Sequence, residues 1–408
     1  MAPRILIATT CRWFSAARIA MAFVRAGCTV EAVCPSDHPI LTTQSSRKNH
    51  RYVALTPLRS LRNAILFFLP DCIIPCDDLA MKHLHRLYDI ALQADDDGSR
   101  KLRDILQFSL GDPASYPITE SRDRFMAMVG EEGICAPETK TVASAEEVEE
   151  WLSQFGFPAV LKADGTSGGE GVKIVHTMEE ALRAYRILHA PVEALVVAKR
   201  AALDRDWTAV PPWLVGRKRD VSIQSFIDGP DANMAIACWQ GRILSSISVD
   251  VLQTWQPKGP ATIVRVMENT EMYRVAEKIL LRLKFSGLCG FDFLIDQASG
   301  QPHLIEMNAR ATQTCTLARG QGRDLVAAMC SVISGKPVTD TSIDMTGDTV
   351  ALFPLAWQGD ASSELFRTAY QDVPWGEPDL VRAGFEQPTH ASREKWKRLF
   401  TKLGLHKS

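Results

Sequence analysis

The sequence predicts a mixed fold, α/β in its first part and α+β in the rest, and three observations carry that prediction. The chain opens with strand, helix and strand in "RILIAT" and "FSAARIAMAFVRAGCTVEAVCP", the pattern of parallel strands joined by a crossover helix. Further on, strand-like runs follow one another across glycine-bearing turns in "FPAVLKADGTSGGEGVKIV" and "GLCGFDFLIDQASGQPHLIEMNAR", the pattern of hairpins. A length of 408 residues exceeds what one hydrophobic core serves and implies several domains.

The elements follow in order. Ala16, Ile19, Ala20, Phe23 and Val24 recur at helical spacing between the first two strands, completing a βαβ unit. "DCIIPCDDLAMKHLHRLYDIAL" repeats strand into helix. The block to residue 113 is therefore half of a doubly wound sheet. It lacks G-x-G-x-x-G after its first strand, which argues against a dinucleotide on that turn. Asp77 and Asp78 sit at a strand's carboxyl end, where they either touch a ligand or cap the next helix. After the linker "GDPASYP", a helix starts near Ser121 and another covers about 145–155. The two strand-like runs around the glycine-rich loop come next, then the helix "TMEEALRAYRIL". Residues 195–220 are irregular and lead into "VSIQSFIDG", "ANMAIACWQGRILSSISVDV" and "TIVRV". A helix from about Thr270 to Lys284, the hairpin containing "HLIEMNAR" and a helix ending at Gly335 close the readable part. The units expected are 1–113, 114–190, 191–336 and a C-terminal extension, 337–408. In that extension Trp396, Phe400 and Leu403 suggest an amphipathic helix that docks on the body or on the second subunit of a homodimer.

Bulk properties exclude several classes. A net charge of −2 gives no field for nucleic acid or an anionic membrane. No apolar run approaches the roughly 20 residues of a membrane helix, and "AILFFLPDCIIPC" is broken by proline and aspartate. The ten cysteines are scattered inside apolar segments, as expected of reduced, buried thiols in a cytoplasmic protein. Cys72 and Cys76 lack the spacing of a redox or zinc motif and read as core.

The chemistry lies in the hairpins. "DGTSGGEGV" lies between strands and lacks the G-K-[ST] entry of a P-loop. It fits an ordinary turn or a lid whose backbone N–H groups cover a polyphosphate. Lys162, within the apolar strand "AVLKAD" just before it, favours the lid, since a lysine there needs an anion. In "HLIEMNAR", strand alternation puts Glu306, Asn308 and Arg310 on one face and Ile305, Met307 and Ala309 on the other. A turn over 297–301 pairs residues whose numbers sum to 598, so Asp292 faces Glu306. Two carboxylates and an amide oxygen then converge, a set suited to Mg²⁺, with Mn²⁺ an acceptable substitute. Arg310 meets a phosphate or acyl-phosphate oxygen on the same face.

Lys162, the glycine loop, "VSIQSFIDGPD", Asp292 and "LIEMNAR", in this order and spacing, resemble the ATP-grasp superfamily of carboxylate-amine ligases over roughly 121–335. The preceding βαβ block resembles that family's Rossmann-like pre-ATP-grasp domain with its parallel sheet. The resemblance implies that Lys162 contacts the α-phosphate and the adenine side, while Gly168, Gly169 and Gly171 line the lid. It implies an adenine hinge of Gln224, Ser225, Phe226 and Ile227, a ribose contact from Asp231, and Mg²⁺ ligation by Asp292, Glu306 and Asn308. Arg310 matches the family's phosphate-binding arginine. Arg124 takes a helix position that is often lysine, and an exposed helix arginine is the alternative for it. Gln224 and Asp231 stand where glutamates are frequent.

The activity implied is ATP-dependent activation of a small-molecule carboxylate as an acyl phosphate, captured by an amine or other nucleophile with release of ADP and phosphate, with no nucleic-acid or membrane partner. Two alternatives stay open: a bicarbonate-using enzyme like carbamoyl-phosphate synthetase or biotin carboxylase, and a non-catalytic ATP sensor. For substrate contacts, Arg217, Lys218 and Arg219 steer an anion or form a solvated loop, and Arg265 binds the acid or a structural partner.

Overall fold

The structure, a computed structural model, describes residues 2–163, 171–190, 219–256, 259–318, 323–337, 347–359 and 362–386. Arg217, Lys218 and the tail residues Trp396, Phe400 and Leu403 lie outside them.

The first sheet is parallel and four-stranded, in the order β3, β2, β1, β4, from β1 (Arg4–Ala8), β2 (Thr29–Cys34), β3 (Lys48–Arg51) and β4 (Cys72–Pro75). Beyond Arg4, its strand β1 is apolar on both faces because helices cover both. Ile5 and Ile7 pack with Ile19 and Phe23 of the helix Ser15–Arg25. Leu6 and Ala8 pack with Leu61 and Ile65 of the helix Pro57–Phe68 and with Leu84 of the helix Asp78–Leu92. Asp77 caps that last helix through the Ala80 N–H, and also accepts from the hydroxyls of Thr9 and Thr10 and the Thr10 N–H. The capping alternative is the one observed.

A second, antiparallel sheet runs β5, β8, β6, β7, from β5 (Thr139–Val142), β6 (Ala159–Ala163), β7 (Val172–Val175) and β8 (Val221–Ser225). The helices Ala145–Phe155 and Met178–His189 cover one face and share a separate core of Trp151, Leu152, Leu161, Tyr185, Leu188 and Ile223. Ser144 and Thr177 cap these helices, each with a glutamate three residues on. Since β8 pairs with both β5 and β6, this lobe extends past the expected boundary at residue 190. Strand pairing, not chain order, sets its limit.

The third sheet has seven strands in the order β13, β12, β9, β10, β11, β14, β15. They are β9 (Asp231–Trp239), β10 (Arg242–Thr254), β11 (Ala261–Met267), β12 (Gly287–Ile295), β13 (Pro302–Asn308), β14 (Thr349–Leu352) and β15 (Tyr370–Asp372). One face, with Ala235, Ala237, Val249 and Leu288, shares a core with the helix Ser15–Arg25. The other, with Met234, Ile236, Phe291 and Phe293, packs on the helix Thr270–Leu283 and joins the core beneath β1 and β4. The two large cores thus run continuously from the N-terminal block into the third sheet. The described part of the C-terminal extension belongs to the same body: β14 and β15 widen the sheet, and Phe353, Val373 and Leu380 enter its core.

Several helices went unread in the sequence, the longest of them Pro57–Phe68 and Asp97–Leu110. The first leaves Phe67 and Leu69 exposed, which blurs its apolar stripe. All cysteines but Cys11 and Cys135 are buried, and all ten are free thiols. No helix among the described residues is long and apolar enough to cross a membrane.

Candidate functional site

The site is built on the hairpin of β12 and β13. In register, Gly290 faces Asn308, Phe291 faces Met307 and Asp292 faces Glu306. The pairing then slips by one, so Phe293 faces Leu304 and Ile295 faces Pro302. Ile305 is the extra residue of a bulge. It lets Leu304 and Met307, three apart, both pack with Phe291 and Phe293, while Glu306 and Asn308 keep the opposite face. The expected facing of Asp292 and Glu306 is met, but the turn is tighter than expected. Asp296 and Gln301 close it, by a hydrogen bond from the Asp296 N–H to the Gln301 carbonyl at 3.0 Å. Ile305 does not join Met307 and Ala309 in the core, because the bulge breaks the alternation.

Polar contacts converge on this face. The Asn308 amide donates to Asp292 Oδ2 at 3.0 Å, and the Asn233 amide of β9 donates to Asp292 Oδ1. Arg310 Nη2 donates to the Asn308 amide oxygen at 2.9 Å and its Nε to Asp78 Oδ1 at 3.0 Å. Arg122, on the helix Arg122–Glu131, donates to Glu306 Oε2 at 2.7 Å. Burial, then the charge of Glu306, pushes the Asp292 carboxyl up to about 7. Burial acts on Glu306 too, but Arg122 and Lys162 outweigh it and hold this carboxyl below its ordinary value.

Two carboxyl groups pressed together at a half-buried spot, one retaining its proton near neutrality, are the arrangement a divalent cation relieves. The donors are all oxygen, as a hard cation needs. The residues therefore fit Mg²⁺, with Asp292, Glu306 and the Asn308 amide oxygen as the groups to hold it.

The second sheet supplies the facing wall. Ala159, Leu161 and Ala163 enter its core, so Lys162 points the other way. In register, Lys162 faces Ser222 and Val160 faces Gln224, which puts Ser222 and Gln224 on the wall with Lys162. Lys162 lies near enough to Glu306 to lower its carboxyl. The buried Ser222 hydroxyl has no hydrogen-bond partner in the described structure, an orphan that a bound ligand would satisfy.

Ser225, Phe226 and Ile227 lead out of β8 as half-buried residues, and Asp231 opens β9 opposite Leu294. The Ser225 N–H donates to the Glu138 carbonyl at 2.9 Å. Gly229 crosses the end of β12 so closely that a Cβ there would lie 1.9 Å from the Ile295 carbonyl oxygen, which is why this segment needs glycine. At the base of the glycine-rich segment the Gly171 carbonyl accepts from the Ala163 N–H at 2.9 Å. Gly168 and Gly169 lie outside the described residues.

Arg124 is exposed, and Arg122 is the arginine of that helix that reaches the site. Helical geometry separates the two by about 200°, and the sequence alone did not show which side faced inward. Asn233 and Asp78 were likewise missed as partners of Asp292 and Arg310, since each contact joins elements far apart in sequence. Arg265 pairs with Asp250 at 2.9 Å on the face opposite Asn233 and Asp292, so the structural alternative holds for it.

A family model described as the carbamoyl-phosphate synthase L chain, ATP binding domain, matches residues 121–341. The carbamoyl phosphate synthase large chain of Methanothermobacter thermautotrophicus is 23% identical over 57% of this chain, which spans only 21% of that relative's length. A phosphoribosylamine–glycine ligase of Neisseria meningitidis is 26% identical over 48% of this chain and 47% of its own. Among solved structures, carboxyaminoimidazole ribonucleotide synthase from Aspergillus clavatus, complexed with ATP, aligns with TM-score 0.61 at 12% identity, covering 84% of this chain and 80% of the other. Biotin carboxylase from Campylobacter jejuni aligns with TM-score 0.59 at 16% identity, covering 82% and 71%. These structures agree with the present one in fold. Because the family match extends over more than half of the sequence, the chain belongs to the carbamoyl-phosphate synthase L chain ATP-binding family, within the ATP-grasp superfamily.

Proposed function

We propose that this protein is an ATP-dependent carboxylate-amine ligase. The observation that carries the reading is Asp292 set opposite Glu306, with Lys162, Arg122 and Arg310 around the pair. A carboxylate oxygen of the substrate attacks the γ-phosphorus of ATP, the bond to the β-phosphate oxygen breaks, and ADP leaves. The acyl phosphate formed is captured at its carbon by an amine, which loses a proton as phosphate departs. Mg²⁺, held by Asp292, Glu306 and Asn308, neutralises phosphate charge when bound, and Mn²⁺ suits the same oxygens.

The chain's own part is positioning and electrostatics. Lys162 and Arg310 stabilise the transferred phosphoryl oxygens. Arg122 takes the phosphate role expected of Arg124, and the unpartnered Ser222 hydroxyl adds a donor on the Lys162 wall. Gln224, Ser225, Phe226 and Ile227 line the adenine, Asp231 holds the ribose, and Gly168, Gly169 and Gly171 form the lid. No side-chain nucleophile is required.

The resemblance to carbamoyl phosphate synthase large chains and biotin carboxylase supports a second reading in which the carboxylate is bicarbonate. One experiment tests both: ADP and phosphate release with Mg-ATP across small carboxylic and amino acids, with and without ammonia or a second amine. Release that depends on one organic acid supports the first reading, and bicarbonate-dependent release without any acid supports the second. Tight ATP binding without release in any pairing would instead favour a nucleotide sensor.

A further inference from the structure

Away from this site, the Cys28 and Cys330 sulfurs lie 2.8 Å apart although 302 residues separate them in sequence. That is inside the roughly 3.5–4.0 Å at which non-bonded heavy atoms settle, and a shift of under about 1 Å would bring them to the 2.05 Å of a disulfide. Cys28 follows the helix Ser15–Arg25 and Cys330 lies in the helix Leu325–Ser334. Both belong to the core shared by the N-terminal sheet and the seven-stranded sheet. The backbone on each side is fixed by regular structure, so the thiols are held in place. Cys330 is fully buried, whereas Cys28 is 7% exposed and is the sulfur a small oxidant meets first.

We propose that Cys28 and Cys330 are a redox modification site that closes into an internal disulfide, clipping the turn between the first helix and β2 to the helix Leu325–Ser334. A peroxide supplies the oxidation. The Cys28 sulfur attacks one peroxide oxygen, the O–O bond breaks, and a sulfenic acid and water form. The Cys330 sulfur then attacks the Cys28 sulfur, the S–O bond breaks, and the hydroxyl leaves as a second water with the Cys330 proton. In total two thiols and one hydrogen peroxide give one disulfide and two waters. The hydrogen bond to Cys28, together with burial, raises the Cys330 thiol above its ordinary value. Cys72, buried in the same core, is the competing partner. Because both helices already pack in one core, the bond needs no rearrangement at the ATP site, and the inference stands apart from the proposed activity.

The test treats the folded, full-length protein with hydrogen peroxide and then blocks remaining thiols. Intact mass, peptide mapping and migration on a non-reducing gel are the readouts. The expected result is two fewer blocking groups than in an unoxidised control denatured and blocked in the same way, one cross-linked peptide pair joining Cys28 to Cys330, and faster migration of the denatured chain, all reversed by dithiothreitol added before blocking. Cys330→Ser should abolish the cross-link while circular dichroism stays unchanged. Since the wild-type mapping stands alone, a poorly folding variant leaves the test intact. A native protein that keeps both thiols under excess peroxide, or links Cys28 to Cys72 or to another chain, overturns the proposal.

Discussion

Arg310, just beyond the β12–β13 hairpin, and Asp78, at the head of the helix following β4, are joined by a contact of 3.0 Å from Nε to Oδ1. This pair, with the 3.1 Å hydrogen bond from the Ala311 N–H to the Pro75 carbonyl, fixes the proposed phosphate-binding arginine against the N-terminal sheet. The carboxyl ends of those parallel strands thereby become one wall of the site, as in other open α/β sheets.

Asp78 is thus a positioning residue for Arg310. Because its side chain is largely exposed, Asp78→Ala should cost no more than about 1 kcal/mol of stability. Turnover should still fall about 10-fold or more through misplacement of Arg310. The fall should appear in kcat rather than in the KM for ATP, and Asp78→Glu should restore part of it. Steady-state kinetics of the two variants check this.

Asp292→Asn and Glu306→Gln should each lower ADP formation by about 100-fold or more, since each removes a charge that holds the cation and the phosphates. Circular dichroism should remain that of the wild type, because both side chains point away from the core of Phe291, Phe293 and Leu304. Unchanged turnover in either variant would refute the proposed metal site.

Arg122 and Arg124 should separate clearly. Arg122→Ala removes a cation 2.7 Å from Glu306 and should raise the KM for ATP about 10-fold. Arg124→Ala, on the exposed side, should change it less than about 2-fold. Kinetics with ATP as the varied substrate decide between the two.

Asp292 should make stability depend on pH in a definite direction. Its carboxyl rises from an ordinary 3.8 to about 7, so between those values the folded chain keeps a proton that the unfolded chain has lost. The stabilisation is complete below about pH 4 and disappears as pH rises through about 7. A divalent cation competes with that proton, so Mg²⁺ should raise the thermal midpoint more at about pH 8 than at about pH 6. Thermal melts with Mg²⁺ or with chelator at both values test this, and Asp292→Asn should remove the pH dependence of the Mg²⁺ effect.

The C-terminal segment should prove necessary to the body. Arg18 donates to the carboxylate and the carbonyl of Asp372, and both side chains are at most 10% exposed. Arg18→Ala should cost about 3–5 kcal/mol by leaving Asp372 buried without its cation. Arg18→Met combined with Asp372→Leu should recover most of that loss, because it also removes the stranded charge. Chemical denaturation of the single and double variants measures the difference.

What the sequence by itself determined was local or periodic. The βαβ opening, the helix over 145–155, the antiparallel pairing around the glycine loop and the facing of Asp292 and Glu306 all follow from alternation, helical spacing and turn chemistry within short stretches. The convergence of Asp292, Glu306 and Asn308 on one face was legible for the same reason, since all three sit on one hairpin. Contacts across the fold were not legible. The bulge at Ile305, the choice of Arg122 over Arg124, the bond from Asn233 to Asp292, the pairing of Asp78 with Arg310 and the meeting of Cys28 with Cys330 depend on which faces pack together. That packing minimises exposed apolar surface over the whole chain, and no local pattern encodes it. The C-terminal strands β14 and β15 illustrate the limit, for segments of four and three residues are too short to show a period, and only the edge of an existing sheet makes them strands.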